Sequence, residues 1–221
     1  ISAQNTGQGL DSFSGIENLI GTAFGDQFFG QAAANRFDGG LGNDELYGGS
    51  GNDVLNGEAG ADLIIGDAGD DTVNGGSEVD RLYGGSGNDT INGDAGADSI
   101  IGGPGLDRID GGAGSDRIYA DGTADTFVFS DPTGGGDRVF SYVSGLHDLE
   151  IVASAYGGAA GAFSFVANGT PTASSAQQTL LYDTDDGRLF LDADGNGAGA
   201  RVHVLTLYLA PSLAASDIAL I

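Results

Sequence analysis

The sequence predicts an all-β protein, a solenoid of short parallel strands whose open end is closed by a further β-rich region. Three observations predict it. A nine-residue period runs without interruption from Gly21 to Val128. Glycine supplies 42 of the 221 residues, well above the ~7% of ordinary domains. The ninth position of the period alternates between two chemistries, which doubles the structural repeat to two nonapeptides.

Composition narrows the function before any motif is read. Thirty-two acidic residues stand against seven basic ones, all arginine, for a net charge of −25. A nucleic-acid or anionic-membrane binder needs a basic face, so both are excluded as partners. The chain is still 40% hydrophobic, which separates it from a disordered acidic tail. No cysteine is present, so neither a disulfide framework nor a cysteine-ligated zinc site can form. Methionine is absent and the chain starts at Ile1, which reads as a piece of a larger protein. No apolar run approaches the ~18 residues of a transmembrane helix. The first twenty residues lack the basic and apolar regions of a signal peptide.

Residues 1–20 are expected to form an N-terminal cap strand, centred on Ile16-Glu17-Asn18-Leu19-Ile20. Residues 21–128 divide into twelve nonapeptides, clearest at 39–47, 48–56, 84–92 and 111–119. Position one is glycine in all but the last, where Ala120 stands. Position six is Asp26, Asp44, Asp53, Asp62, Asp71, Asp80, Asp89, Asp98, Asp107, Asp116 and Asp125, with Asn35 the exception. Position eight is always apolar, from Phe28 to Phe127. Each unit reads as a six-residue glycine-rich turn followed by a three-residue strand with its middle side chain inward. Strands this short cannot stand alone, so neighbours must stack. Position nine runs Phe29, Asp38, Tyr47, Asn56, Ile65, Asn74, Tyr83, Asn92, Ile101, Asp110, Tyr119, Val128. The alternation gives two sheets with different outer faces: a parallel β-roll of six coils, roughly 29 Å long at the ~4.8 Å strand spacing.

Stacking sets the position-six carboxylates above one another in two ladders. Unit charges ~4.8 Å apart repel by roughly 3.5 kcal/mol at an effective dielectric of 20. Seven arginines are too few to answer this, so a cation between rungs is expected. Ca²⁺ accepts six to eight oxygens in flexible geometry and suits carboxylates and carbonyls together better than Mg²⁺ does. The lack of cysteine and the presence of only two histidines argue against softer metals.

Gly-Gly-x-Gly-x-Asp followed by x-apolar-x resembles the RTX, or hemolysin-type, calcium-binding repeat, over about half the chain. The resemblance implies a right-handed parallel β-roll that binds Ca²⁺ between turns on the same edge. It implies that one turn gives carbonyls at positions two and four with its aspartate. The turn two repeats later then gives carbonyls at positions one and three with its own. On the first edge, Gly40, Gly42 and Asp44 meet Gly57, Ala59 and Asp62. Gly60 and Asp62 meet Gly75, Ser77 and Asp80; Asp80 meets Gly93, Ala95 and Asp98; Gly96 and Asp98 meet Gly111, Ala113 and Asp116. On the second edge, Gly49, Gly51 and Asp53 meet Gly66, Ala68 and Asp71, and Gly69 and Asp71 meet Gly84, Ser86 and Asp89. Gly85, Gly87 and Asp89 meet Gly102, Pro104 and Asp107, and Gly103, Gly105 and Asp107 meet Gly122 and Asp125. About eight calcium ions are implied. The repeats at 21–29 and 30–38 lack the second glycine and read as part of the cap. Glu78 replaces a turn glycine at 75–83, and Glu58, Asp67 and Asp94 at position two are expected to face solvent.

Beyond Val128 the period dissolves, leaving apolar stretches at 138–142, 149–152, 162–166, 179–182, 188–191 and 202–209. They read as strands of a C-terminal β-rich capping region over 129–221, which covers an otherwise exposed edge. Residues 124–130, 180–200 and the tail are similar to the serralysin-like flanking domain of RTX proteins exported by type I secretion. Asp217-Ile218-Ala219-Leu220-Ile221 resembles that family's terminal secretion signal. The family often carries Asp-x-x-Asp-Phe after the roll and an aspartate before the next strand. Ser141, Tyr142 and His147 stand there instead, so the sequence assigns no further site to that stretch. Asp192-Ala193-Asp194-Gly195-Asn196-Gly197 begins like an EF-hand loop, but position twelve is His203, and a plain hairpin turn is the reading.

No His-Glu-x-x-His and no Gly-x-Ser-x-Gly is present, so no catalytic residues are assigned. The two histidines, His147 and His203, read as packing or surface residues. The sequence predicts a non-catalytic calcium-binding module that folds on Ca²⁺ outside the cell and carries a type I secretion signal for a larger protein. The secretion machinery is its expected partner, and its expected place is extracellular or on the cell surface. The alternatives are the C-terminal module of an RTX protease, lipase or epimerase, or a surface-layer or adhesin-like segment. The latter would self-associate or contact a cell surface through its aromatic ladder.

Overall fold

The computed structural model describes residues 17–132, 136–152, 155, 164–168, 179–183, 187–192, 202–208 and 213–221. In chain order the first strands are β1 (Asn18–Ile20), β2 (Gln27–Phe29), β3 (Arg36–Leu41), β4 (Glu45–Ser50), β5 (Val54–Ala59), β6 (Leu63–Ala68) and β7 (Thr72–Ser77). Then come β8 (Arg81–Ser86), β9 (Thr90–Gly96), β10 (Ser99–Ile101), β11 (Arg108–Asp110), β12 (Ala113–Gly114), β13 (Arg117–Tyr119) and β14 (Thr126–Phe129). The last are β15 (Asp137–Phe140), β16 (Asp148–Ile151), β17 (Ser164–Asn168), β18 (Thr179–Asp183), β19 (Arg188–Asp192), β20 (Val202–Tyr208) and β21 (Ile218–Leu220).

Alternate strands fall into two sheets. The first runs β1-β3-β5-β7-β9-β11-β14-β16-β21, with β12 beside β9, and the second runs β2-β4-β6-β8-β10-β13-β15-β20-β19-β18-β17. Within the repeats every pairing is parallel and offset by two nonapeptides, as in Leu46 opposite Ile64 and Leu55 opposite Val73. This is the all-β parallel roll that the period predicts. Leu46, Leu55, Ile64, Val73, Leu82, Ile91, Ile100, Ile109 and Ile118, all at position eight, are fully buried. Each contributes about 1.5–3 kcal/mol of transfer free energy. The core is therefore thin, two aliphatic side chains per coil, and the turns must contribute heavily to cohesion.

The strands are longer than expected. β3 to β8 span six residues rather than three. The ladder passes over position one and resumes at positions two and three, where Gly40 pairs with Glu58 and Leu41 with Ala59. Position two holds a left-handed backbone, at φ 104° for Gly40, 72° for Glu58, 73° for Asp67 and 66° for Asp94. The chain thus bends there while still exchanging hydrogen bonds with the coil above. The free turn shrinks to positions four to six.

The roll also extends past the period. Val139 of β15 lies opposite Ile118, and Leu149 of β16 lies opposite Phe127, both fully buried. β20 and β21 then stack on these two strands in parallel. Among the described residues, each of the six apolar stretches expected after Val128 overlaps a strand. The period is lost because connections lengthen: 21 residues separate Asp116 from Asp137, against 18 within the repeats. Of the expected N-terminal cap strand, β1 is present and residues 1–16 lie outside the described residues. Residues 193–197 of the EF-hand-like segment also lie outside them. Among the described residues no helix is long and apolar enough to cross a membrane.

Candidate metal centres on the turn ladders

Each position-six side chain is fixed by the coil beneath it. The backbone N–H of one rung donates to Oδ1 of the rung two repeats on. Asp44 donates to Asp62 at 2.7 Å, Asp62 to Asp80, Asp80 to Asp98 and Asp98 to Asp116, each at 2.8 Å. On the other edge Asp53 donates to Asp71 and Asp71 to Asp89 at 2.8 Å, Asp89 to Asp107 at 2.9 Å and Asp107 to Asp125 at 3.2 Å. These bonds hold every carboxylate in one orientation and use one oxygen of it.

The other oxygen is left alone. Oδ2 of Asp44, Asp53, Asp62, Asp71, Asp80, Asp89, Asp98, Asp107 and Asp116 is buried with no hydrogen-bonding partner. A buried carboxylate oxygen without a donor is among the costlier features a fold can carry. The arginine pairs do not answer it: Arg36–Asp38 (2.8 Å) and Arg108–Glu150 (2.6 Å) lie on an outer face. The carboxyls respond as uncompensated buried acids do. Burial, opposed by the rung hydrogen bond and helped by neighbouring carboxylates, pushes Asp44, Asp80, Asp98 and Asp107 up to about 7. It pushes Asp71 and Asp125 up to about 6, and Asp53, Asp62 and Asp89 are raised by the same cause.

The position-one glycines show where the lone oxygens gather. A methyl on Gly75 would stand 2.6 Å from Asp80 Oδ2 and 2.8 Å from the Gly93 carbonyl oxygen. The same two atoms, the turn's own Oδ2 and the position-one carbonyl of the turn above, crowd Gly39, Gly48, Gly57, Gly66, Gly84 and Gly93. The crowding thus brings together the aspartate and the position-one carbonyl at seven of the eight expected places. At the eighth, the three atoms nearest a methyl on Gly102 all belong to Asp107. The position-three carbonyls of Ala59, Ala68, Ser77, Ser86 and Pro104 each accept a backbone N–H from position four of the turn two repeats earlier. A carbonyl has a second lone pair, so a ligand role stays open to each of them. Among the described residues no three Asp, Glu or His side chains converge on one point, so any ligand set must draw on backbone carbonyls. Paired carboxylate oxygens plus carbonyls, with no nitrogen or sulfur, form a hard-oxygen donor set of the kind Ca²⁺ takes.

Glu58, Asp67 and Asp94 are exposed at position two. At the N-terminal end the pattern changes. Asp26 Oδ2 accepts the Thr22 N–H at 2.7 Å and its hydroxyl at 3.0 Å, and Asn35 Oδ1 accepts the Gln31 N–H at 3.2 Å.

Two rungs escaped the sequence reading. Asp137 stands above Asp116 and accepts its N–H at 3.0 Å, and its carboxyl, like that of Asp116, is raised by burial. His147 stands above Asp125 and accepts its N–H through Nδ1 at 3.2 Å. It is 1% exposed, packed against Phe127 and Tyr142, and burial lowers its pKa. The signal was present in Asp137-Arg138-Val139-Phe140 and His147-Asp148-Leu149-Glu150, which keep the position-six to position-nine chemistry after longer connections.

The outer faces differ as expected. On the second sheet Phe29 stacks on Tyr47, and Tyr119, Phe140 and Tyr208 stack in turn at 4.7–4.9 Å. On the first, Asn56, Asn74 and Asn92 form an amide ladder above Asp38.

Four stretches, 11–46, 47–82, 74–108 and 101–130, match the RTX calcium-binding nonapeptide repeat. No curated protein matches the chain. Among solved structures it is similar to the AlgE6R3 subunit of the mannuronan C5-epimerase of Azotobacter vinelandii. That similarity is at 25% identity over 64% of this chain and 78% of that one, with a TM-score of 0.42. It is also similar to the AlgE6R2 subunit of the same enzyme, at 24% identity over 67% and 91%, with a TM-score of 0.44.

Proposed function

The chain belongs to the RTX calcium-binding nonapeptide repeat family, and on that premise we propose that it is a calcium-gated folding module. The observation that carries the reading is the row of nine buried carboxylate oxygens without a donor. A bound Ca²⁺ supplies the positive charge those oxygens need. The chain's own part is to present them: backbone amides clamp each Oδ1, position-one glycines leave room, and stacked carbonyls complete the donor set. The ligand sets are those assigned from the repeat, about eight in number, with each inner aspartate shared between two neighbouring sites.

The role is binding rather than catalysis, and it serves a larger exported protein. The tail at 217–221 is the type I secretion signal, and folding follows export. What supports this is family membership together with the acid-then-apolar terminus. The test is far-UV circular dichroism of the full chain during calcium titration, with calcium counted by mass spectrometry. At about pH 8, where the rung carboxyls are ionised, native β signal should appear only with calcium and vanish in excess chelator. Native signal over the roll that persists in chelator at that pH would overturn the reading.

A further inference from the structure

The two ladders end differently at the C-terminal side. The first ends on a carboxylate, Asp137, and the rung beneath it, Asp116, has an Oδ2 without a partner. The second ends on the imidazole of His147. That ring keeps the backbone half of a rung's work, since Nδ1 accepts the Asp125 N–H at 3.2 Å. It also lies beside the carboxylate, with Nδ1 3.7 Å from Asp125 Oδ2. A ring nitrogen that accepts an N–H carries no proton, so the ring's hydrogen sits on Nε2, which has no hydrogen-bonding partner. Both nitrogens are then closed to a cation, one by the Asp125 amide and the other by its own proton. A rung aspartate in that place would instead offer a second oxygen.

The N-terminal ends follow the same logic by other means. Asp26 spends Oδ2 on Thr22, and Asn35 carries no charge. Resting on the calcium reading above, we propose that His147 is the stop residue of the second ion column. It completes the hydrogen-bonded ladder without supplying charge, so the column ends beneath Asp125 and does not continue into the coil of β16. His147 thereby sets the number of ions on that edge, and Asp125 serves one site where inner rungs serve two.

The test counts calcium per folded chain at saturation, by equilibrium dialysis and mass spectrometry, in the native chain and three variants. His147→Asp should hold one ion more than the native chain. His147→Asn keeps an acceptor without charge and should hold the native number. Asp125→Asn should lose one ion, and this variant decides the matter if His147→Asp does not fold. An unchanged count in folded His147→Asp, or the loss of two ions in Asp125→Asn, overturns the proposal and leaves the calcium reading standing. A native chain that holds no calcium overturns both.

Discussion

At the residue scale, the repeat is a statement about which atoms need space. Position one is glycine because its missing Cβ is where the position-six Oδ2 and the next turn's carbonyl lie, as around Gly66 with Asp71 and Gly84. Gly122 has nothing within 4 Å of that position. Gly66→Ala should therefore cost about 1–3 kcal/mol through overpacking, whereas Gly122→Ala should stay within about 0.5 kcal/mol. Chemical denaturation in saturating calcium checks both, and equal losses would show that the crowding at Gly66 is not what selects glycine. A second expectation concerns sharing. Asp89 lies between Asp71 and Asp107 and would face two of the proposed sites, while Asp125 lies beneath His147. Asp89→Ala should raise the calcium midpoint of folding more than Asp125→Ala, and equal shifts would count against a ladder of shared ligands. The spacing made these aspartates and glycines legible. It could not reveal that each Oδ1 is clamped by an amide two repeats earlier, because backbone donors carry no signature in side-chain identity.

At the element scale, each rung of a ladder raises its neighbours' hold on a proton, on top of the larger effect of burial. The rung carboxyls of the calcium-free roll are raised above the ordinary carboxylate value, several to about 7. A group that binds its proton more tightly folded than unfolded stabilises the fold at low pH, and that stability is lost as pH rises through the folded pKa. The calcium-free roll should therefore gain β structure as pH falls from about 8 towards 5. In the presence of calcium the same acidification should raise the concentration required, because protons compete for the same oxygens. Circular dichroism of dialysed, calcium-free protein across this range checks the first part, and β signal that falls on acidification would contradict it. The inward apolar column and the alternating outer faces were legible as periods of nine and eighteen. The strand length was not: positions two and three look like turn residues. They join the ladder only because a left-handed residue at position two, even Glu58 or Asp94, keeps the coil in register.

At the scale of the whole molecule, the roll outlasts its sequence period, since the rungs at Asp137 and His147 sit on connections of a different length. Regular spacing reports only what the chain repeats, so the extra coil of β15 and β16 surfaced as isolated apolar stretches and its two rungs as stray polar residues. The tail closes this extension. β21 pairs in parallel with β16, Ile218 and Leu220 are buried, and Asp217 accepts the Ser144 hydroxyl at 2.5 Å. Residues 217–221 thus have a structural role as the last strand of the first sheet, alongside the export role proposed for them. The two roles separate because they act on different states of the chain. A ligand that binds only the folded form shifts folding by its concentration relative to its affinity, so on the proposed function a calcium-poor interior would keep the chain unfolded and a calcium-rich exterior would fold it. The export role proposed for the tail would be exercised on the unfolded chain, where the strand does not exist. Deleting residues 217–221 should therefore abolish export by a type I exporter. It should leave calcium-induced folding of the purified chain in place, weakened by about 3–6 kcal/mol for the burial of Ile218 and Leu220 that is lost. Export measured beside folding checks both at once, and a truncated chain exported as well as the intact one would show that the tail is a cap strand and nothing more.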